Sequence, residues 1–80
     1  MTIFQKKKAG QQPQTKMQKR ISGLSTPDLV TWSENALFTI GKELTGWLRS
    51  NDDLLLDDAE MAAEALLEIT RELKRRASNV

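Results

Sequence analysis

Residues 26–49 read TPDLVTWSENALFTIGKELTGWLR, and this stretch decides the fold. Its start carries the marks of a helix N-terminus. Thr26 is placed as the N-cap, its hydroxyl accepting from an orphan backbone N–H. Pro27 follows at the first helical position, where a missing N–H costs nothing. Asp28 sets negative charge at the positive end of the helix dipole. Beyond it Leu29, Trp32, Ala36, Leu37, Ile40, Leu44, Trp47 and Leu48 recur at steps of three and four, one apolar face at helical period. At ~100° per residue, Leu29, Ile40 and Trp47 lie near its centre, with Val30, Leu37 and Leu48 on one flank and Trp32 on the other. Gly41 and Gly46 each cost roughly 1 kcal/mol against Ala in a helix. Simple tolerance is the favoured account, and close approach of a neighbouring helix at Gly41 is the alternative. Phe38 falls nearly opposite Ile40, among polar residues, and is a candidate for a contact outside the fold.

Working outward toward the C-terminus, Ser50-Asn51-Asp52-Asp53 is a polar turn. Leu54-Leu55-Leu56 leads into a second helix, for which Asp57 is placed as N-cap. Asp57 and Glu60 have the form of a capping box, with Leu56 and Met61 as its hydrophobic staple. A start at Asp53, which would put the leucines in the first turn, is the rival. The helix runs to about Ala77, with Ala59, Ala62, Ala63, Leu66, Ile69, Leu73 and Ala77 as its apolar face. Asp57, Asp58, Glu60 and Glu64 crowd its beginning and Arg71, Lys74, Arg75 and Arg76 its end, a gradient that suits the macrodipole. So short a connection between two amphipathic helices predicts an antiparallel hairpin. Its small alanines would face the end of the first helix, and Leu66, Ile69 and Leu73 would face Ala36 and Ser33, large against small.

Toward the N-terminus, Pro13 to Ser22 has the pattern of a short helix, with Met17 and Ile21 one turn apart and Gly23 as a left-handed stop. A helix this short is marginal alone. Residues 1–12 are rich in Lys and Gln and cannot build a core. The expected fold is therefore all-α: a two-helix hairpin over residues 24–80, preceded over residues 1–23 by a flexible basic arm containing a short helix. No residue of the core stripe is expected before Leu24.

Composition removes several function classes. The 80 residues allow one small domain. There is no Cys and no His, hence no thiolate site and no imidazole base. No window approaches the ~18 apolar residues of a membrane span. The start has its lysines after Ile3-Phe4 and no apolar region beyond, unlike a signal peptide, so a cytoplasmic setting is expected and a membrane partner is not. No phosphate loop or dinucleotide glycine pattern occurs. Asp52, Asp53, Asp57 and Asp58 lack the spacing of a calcium loop. No catalytic residue, cofactor site or metal site is assigned, and an enzyme is not expected.

The net charge of +1 hides a split. No acid precedes Asp28, whereas Lys6, Lys7, Lys8, Lys16, Lys19 and Arg20 all do. These six are candidates for contact with phosphates or an acidic protein surface. Ile3, Phe4, Trp32, Phe38, Trp47 and Leu67 are the candidate partner-binding residues: an apolar pair at the arm's tip, and large side chains that two helices leave half covered. Phe4 with Lys6-Lys7-Lys8, Leu24-Ser25-Thr26-Pro27-Asp28-Leu29, Trp32, Ile40-Gly41 and Glu72-Leu73-Lys74-Arg75 together resemble small, uncharacterised helical proteins encoded by phages of actinobacteria. The resemblance implies an accessory or virion-associated protein, in the host cytoplasm or the virion, and supplies no active site.

The expected function is a structural or interaction subunit that docks by its apolar helix faces on a protein partner or a second copy, with the arm reaching a neighbour. The alternative is a nucleic-acid-associated protein that uses the basic arm. Filter binding on duplex DNA and RNA separates them: weak, sequence-blind binding that vanishes near physiological salt is expected, because a few phosphate contacts give a steep salt dependence. Tight, selective binding at that salt would favour the alternative.

Overall fold

The computed structural model describes residues 14–78 as three helices: α1 (Lys16–Gly23), α2 (Thr26–Ser50) and α3 (Leu54–Ser78). Among the described residues there is no strand, so the all-α class holds. Residues 1–13, which hold the rest of the arm and Pro13 at the expected start of its short helix, lie outside the described residues, as do 79–80.

A capping box starts α1. Thr15 Oγ1 accepts from the Gln18 N–H at 3.1 Å, and Gln18 Oε1 accepts from the Thr15 N–H at 3.1 Å, satisfying two orphan donors reciprocally. Gly23 is not in the left-handed region. The chain leaves α1 through Leu24 in an extended conformation (φ −94°, ψ 152°), its N–H donating to the Ile21 carbonyl. Ser25, not Thr26, caps α2: Ser25 Oγ accepts from the Asp28 N–H at 3.2 Å. With Ser25 in that role, Thr26 stands inside the first turn and its hydroxyl serves another partner.

The connection is tight. Asn51 adopts the left-handed conformation (φ 58°, ψ 27°) and donates to the Trp47 carbonyl at 2.7 Å, a conformation asparagine tolerates. Trp47 Nε1 donates to Asp53 Oδ1 at 3.0 Å. α3 then begins at once, correcting the placement of its cap at Asp57. The Leu54 N–H donates to Asp52 Oδ1, and the Leu55 and Leu56 N–H groups donate to the carbonyls of Asp52 and Asp53. The turn carboxylate and carbonyls have already taken the orphan donors, so the Asp57–Glu60 box has no helix start to cap. Met61 is exposed and forms no staple.

α2 and α3 pack antiparallel along their length. Thr26 meets Arg76 at one end, and a Cβ on Gly46 would stand 3.0 Å from Leu55 Cδ1 at the other. The glycine that admits a neighbour is thus Gly46, whereas Gly41 faces open space. α1 lies against α3. Ile21, Leu29 and Ile69 form the fully buried centre, ringed by Met17, Leu24, Trp32 and Leu73. Ala36, Ala59 and Ala65 are buried. The α3 face is turned from the expected one: Ala65 is inside, and Ala63 and Ala77 are exposed.

Ile21 overturns the expectation that the core begins at Leu24. Placed in the arm by sequence, it is one of three side chains that lose essentially all contact with water. Ile21→Ala is expected to cost roughly 2–5 kcal/mol, through lost transfer energy plus a cavity. Urea unfolding of the full chain checks this.

Candidate interaction surface

The expected site residues fall into four places. Ile3, Phe4, Lys6, Lys7 and Lys8 lie outside the described residues. Lys16, Lys19 and Arg20 are exposed on α1. The Arg20 guanidinium stands over the Trp32 ring, 5.5 Å from its centroid, within cation–π range. Trp32 and Trp47 are half-buried within the fold, Trp32 against the three-helix core and Trp47 tied to the turn. Phe38 (72% exposed) and Leu67 remain at the surface.

α1 and α3 are held together by arginines and carboxylates. Arg76 Nε donates to Glu72 Oε2 at 2.7 Å, and Nη1 to Thr26 Oγ1 at 3.0 Å. Its Nη2 donates to the Leu24 carbonyl at 2.7 Å and makes longer contacts to the carbonyls of Ile21 and Ser22. One side chain of α3 thereby caps the end of α1 and fastens the start of α2. Glu72 also accepts from Arg75, and Glu68 from Arg71 and Gln18. These carboxylates line a shallow recess with Gln14 and Ile21. Each is bonded to an arginine, an arrangement that fixes its geometry. Among the described residues, no group of three or more Asp or Glu is arranged to hold a metal ion.

The other side of the hairpin has no such cover. α1 touches α2 at Trp32 and α3 at Glu68 and Arg76. Roughly 120–180° round α2 from Trp32, by helical geometry, stand Val30, Leu37, Gly41, Leu44 and Leu48. Val30, Leu37, Leu44 and Leu48 are all exposed, Leu37 at 58% and Leu48 at 73%. Leu67 and Ala63 of α3 lie roughly 100–140° from Glu68 on the same side and are exposed too. Phe38 closes the outer edge, in a shallow groove with Leu37, Gly41, Lys42, Thr45 and Arg49. The sequence reading had assigned Leu37, Leu44 and Leu48 to the inner face. The signal for their exposure was the width of the stripe, which exceeds what one neighbouring helix covers. Among the described residues no helix is long and apolar enough to cross a membrane. Comparison with known proteins finds no matching protein family, no similar curated protein and no similar solved structure.

The ion pairs carry a pH signature. Hydrogen bonds from Arg75 first and Arg76 second hold the Glu72 carboxyl down to about 2, against its ordinary 4.5. Between those values the unfolded chain takes up a proton at Glu72 that the folded chain refuses. The contribution of Glu72 is therefore complete above the ordinary value and is lost as pH falls through the window. Glu72→Gln is expected to lower the urea midpoint near neutral pH and to flatten its acid dependence between 4.5 and about 2. Urea titrations across that range would contradict this if variant and wild type ran parallel.

Proposed function

We propose that this protein is a non-enzymatic structural or interaction subunit that docks through the open face of its hairpin. The supporting observation is the exposure of Val30, Leu37, Phe38, Leu44 and Leu48 on α2 and of Leu67 on α3. Soluble chains rarely leave an apolar patch larger than a few hundred Å² in water, and those that do use it for association. Gly41 lies within the set and meets nothing among the described residues, so a partner helix can approach the backbone closely there. The ion pairs of Glu68 and Glu72 lie within α3, and the bonds of Glu68 to Gln18 and of Arg76 to Thr26 and Leu24 join it to its neighbours. In this reading the N-terminal arm, with Ile3 and Phe4 at its tip, reaches a neighbour in the assembly. The resemblance to proteins of actinobacterial phages makes a virion, or the cytoplasm of an infected host, its setting.

A second reading, association with nucleic acid, draws on α1. Its exposed Lys16, Lys19 and Arg20 extend the basic series begun by Lys6, Lys7 and Lys8, and α1 has no acid in its first turn. Such a series meets phosphates by counterion release. It also meets acidic protein surfaces, and Arg20 is already engaged with Trp32, so docking by the apolar face is the stronger reading.

Leu37→Glu combined with Leu48→Glu tests it. Helicity and cooperative unfolding are expected to survive, because both side chains point outward. Expressed in cells, the tagged wild-type chain should sediment in a complex and the double variant at the mass of a lone chain. A double variant that runs in the same complexes as wild type, or that unfolds, would sink the reading.

A further inference from the structure

We infer that the occupant of the open face is a second copy of this chain, packed across a two-fold axis so that α2 lies antiparallel on α2 and α3 antiparallel on α3. The inference deepens the docking reading and rests on it. Size is the first argument. Two helices of 25 residues rise about 37 Å and stand 8–10 Å apart in typical packing, so their common face covers roughly 700 Å². A standard stable interface buries about 800 Å² on each partner.

The second argument is shape. A two-fold axis crossing α2 near residue 39 sets each Leu37 at Gly41 of the other copy, and each Val30 at Leu48. The notch left by Gly41, open in the single chain, then receives a leucine. The cross-hairpin pairs Thr26–Arg76 and Gly46–Leu55 put Ala63 of α3 level with the same axis. Small residues thus stand where backbones come closest, and larger ones (Val30, Leu44, Leu48, Leu67) stand to either side. In an antiparallel pair related by this axis, the same flank of each α2 meets its counterpart. The two Phe38 rings then close the outer rim beside the axis, which gives a role to the residue that fits no face of the hairpin.

Charge is the third argument, and it selects the orientation. Of the charges of α3, Glu60 and Lys74 lie within about 20° of Leu67 round the helix, on the open side, whereas Arg71 and Arg75 are paired with Glu68 and Glu72. A parallel pair sets Glu60 on Glu60 and Lys74 on Lys74; an antiparallel pair separates these like charges. Lys74 falls level with the Asp52-Asp53 turn of the second copy. The chain's own N-terminal segment is the weaker candidate, since its Lys6, Lys7 and Lys8 would approach Lys42 and Arg49 at the rim of the groove. The result is a four-helix bundle with each α1 on an outer side.

Sedimentation equilibrium on the purified full chain tests this, with disulfide trapping in a sequence that has no native Cys. The expected mass is two chains. An equimolar mix of Val30→Cys and Leu48→Cys should cross-link to each other in preference to themselves. Gly41→Leu should leave the monomer fold intact, because its side chain enters open space, and should weaken association at least about 30-fold, the loss of a central contact. Leu37→Glu with Leu48→Glu should do at least as much. A full chain that is monomeric at all concentrations, a mass other than two chains, or preferred self-cross-linking of Val30→Cys and of Leu48→Cys would overturn the second copy. If the purified chain is monomeric while the double variant still leaves its cellular complex, the occupant is another protein and the docking reading stands. If neither assay responds to the double variant, both fall.

Discussion

The guanidinium of Arg76 is the constraint on which the arrangement of three helices depends. A helix of eight residues does not hold itself together in water, and α1 ends without a left-handed cap. Its last carbonyls need donors from elsewhere. Arg76 supplies them from the far end of the chain, and with the same planar group it holds the Thr26 hydroxyl and the Glu72 carboxylate. Only arginine offers that fork of donors in fixed geometry. Because Arg76 reaches the end of α1 and the start of α2 together, it fixes the connection at Leu24 and brings Ile21 down onto Leu29 and Ile69.

The core so formed is small. Three side chains are fully buried, and the alanines at 36, 59 and 65 mark where backbones pass close. Eighty residues bury a modest fraction of their surface at best. Here α1 covers one side of the hairpin only near the α2 start and the α3 end. The opposite side keeps a leucine-rich surface that none of the three described helices covers.

That asymmetry bears on function more directly than any group of polar residues. Glu68 and Glu72 of α3 are paired with arginines one turn away. What remains open is apolar area on the hairpin, and burial of apolar area is the main drive for association.

Much of this was legible in residues 26–49 and 54–78. Three- and four-residue spacing gave two helices, the Ser50–Asp53 turn gave the hairpin, and Leu29, Ala36 and Ile69 were correctly placed inside. Local chemistry with two equal answers was not legible. Ser25 and Thr26 both cap well, and Asp53 and Asp57 both precede apolar runs; the choice fell to the partner each found, Arg76 for Thr26 and the Asp52-Asp53 turn for the start of α3. The capping box at Thr15 and Gln18 stood in the sequence and went unread. Above all, periodicity reports that a stripe is apolar and not which part of it is covered. Leu37, Leu44 and Leu48 share their spacing with Leu29 and Ala36, and only the direction from which α1 and α3 approach separates buried from open. The sequence by itself determined the helices and the charge layout, because these follow from neighbours three and four residues apart. The tertiary structure alone decided that Ile21 belongs to the core and that one leucine face lies open, because both depend on contacts between residues far apart in the chain, such as those of Arg76 with Thr26 and Leu24, 50 and 52 residues away.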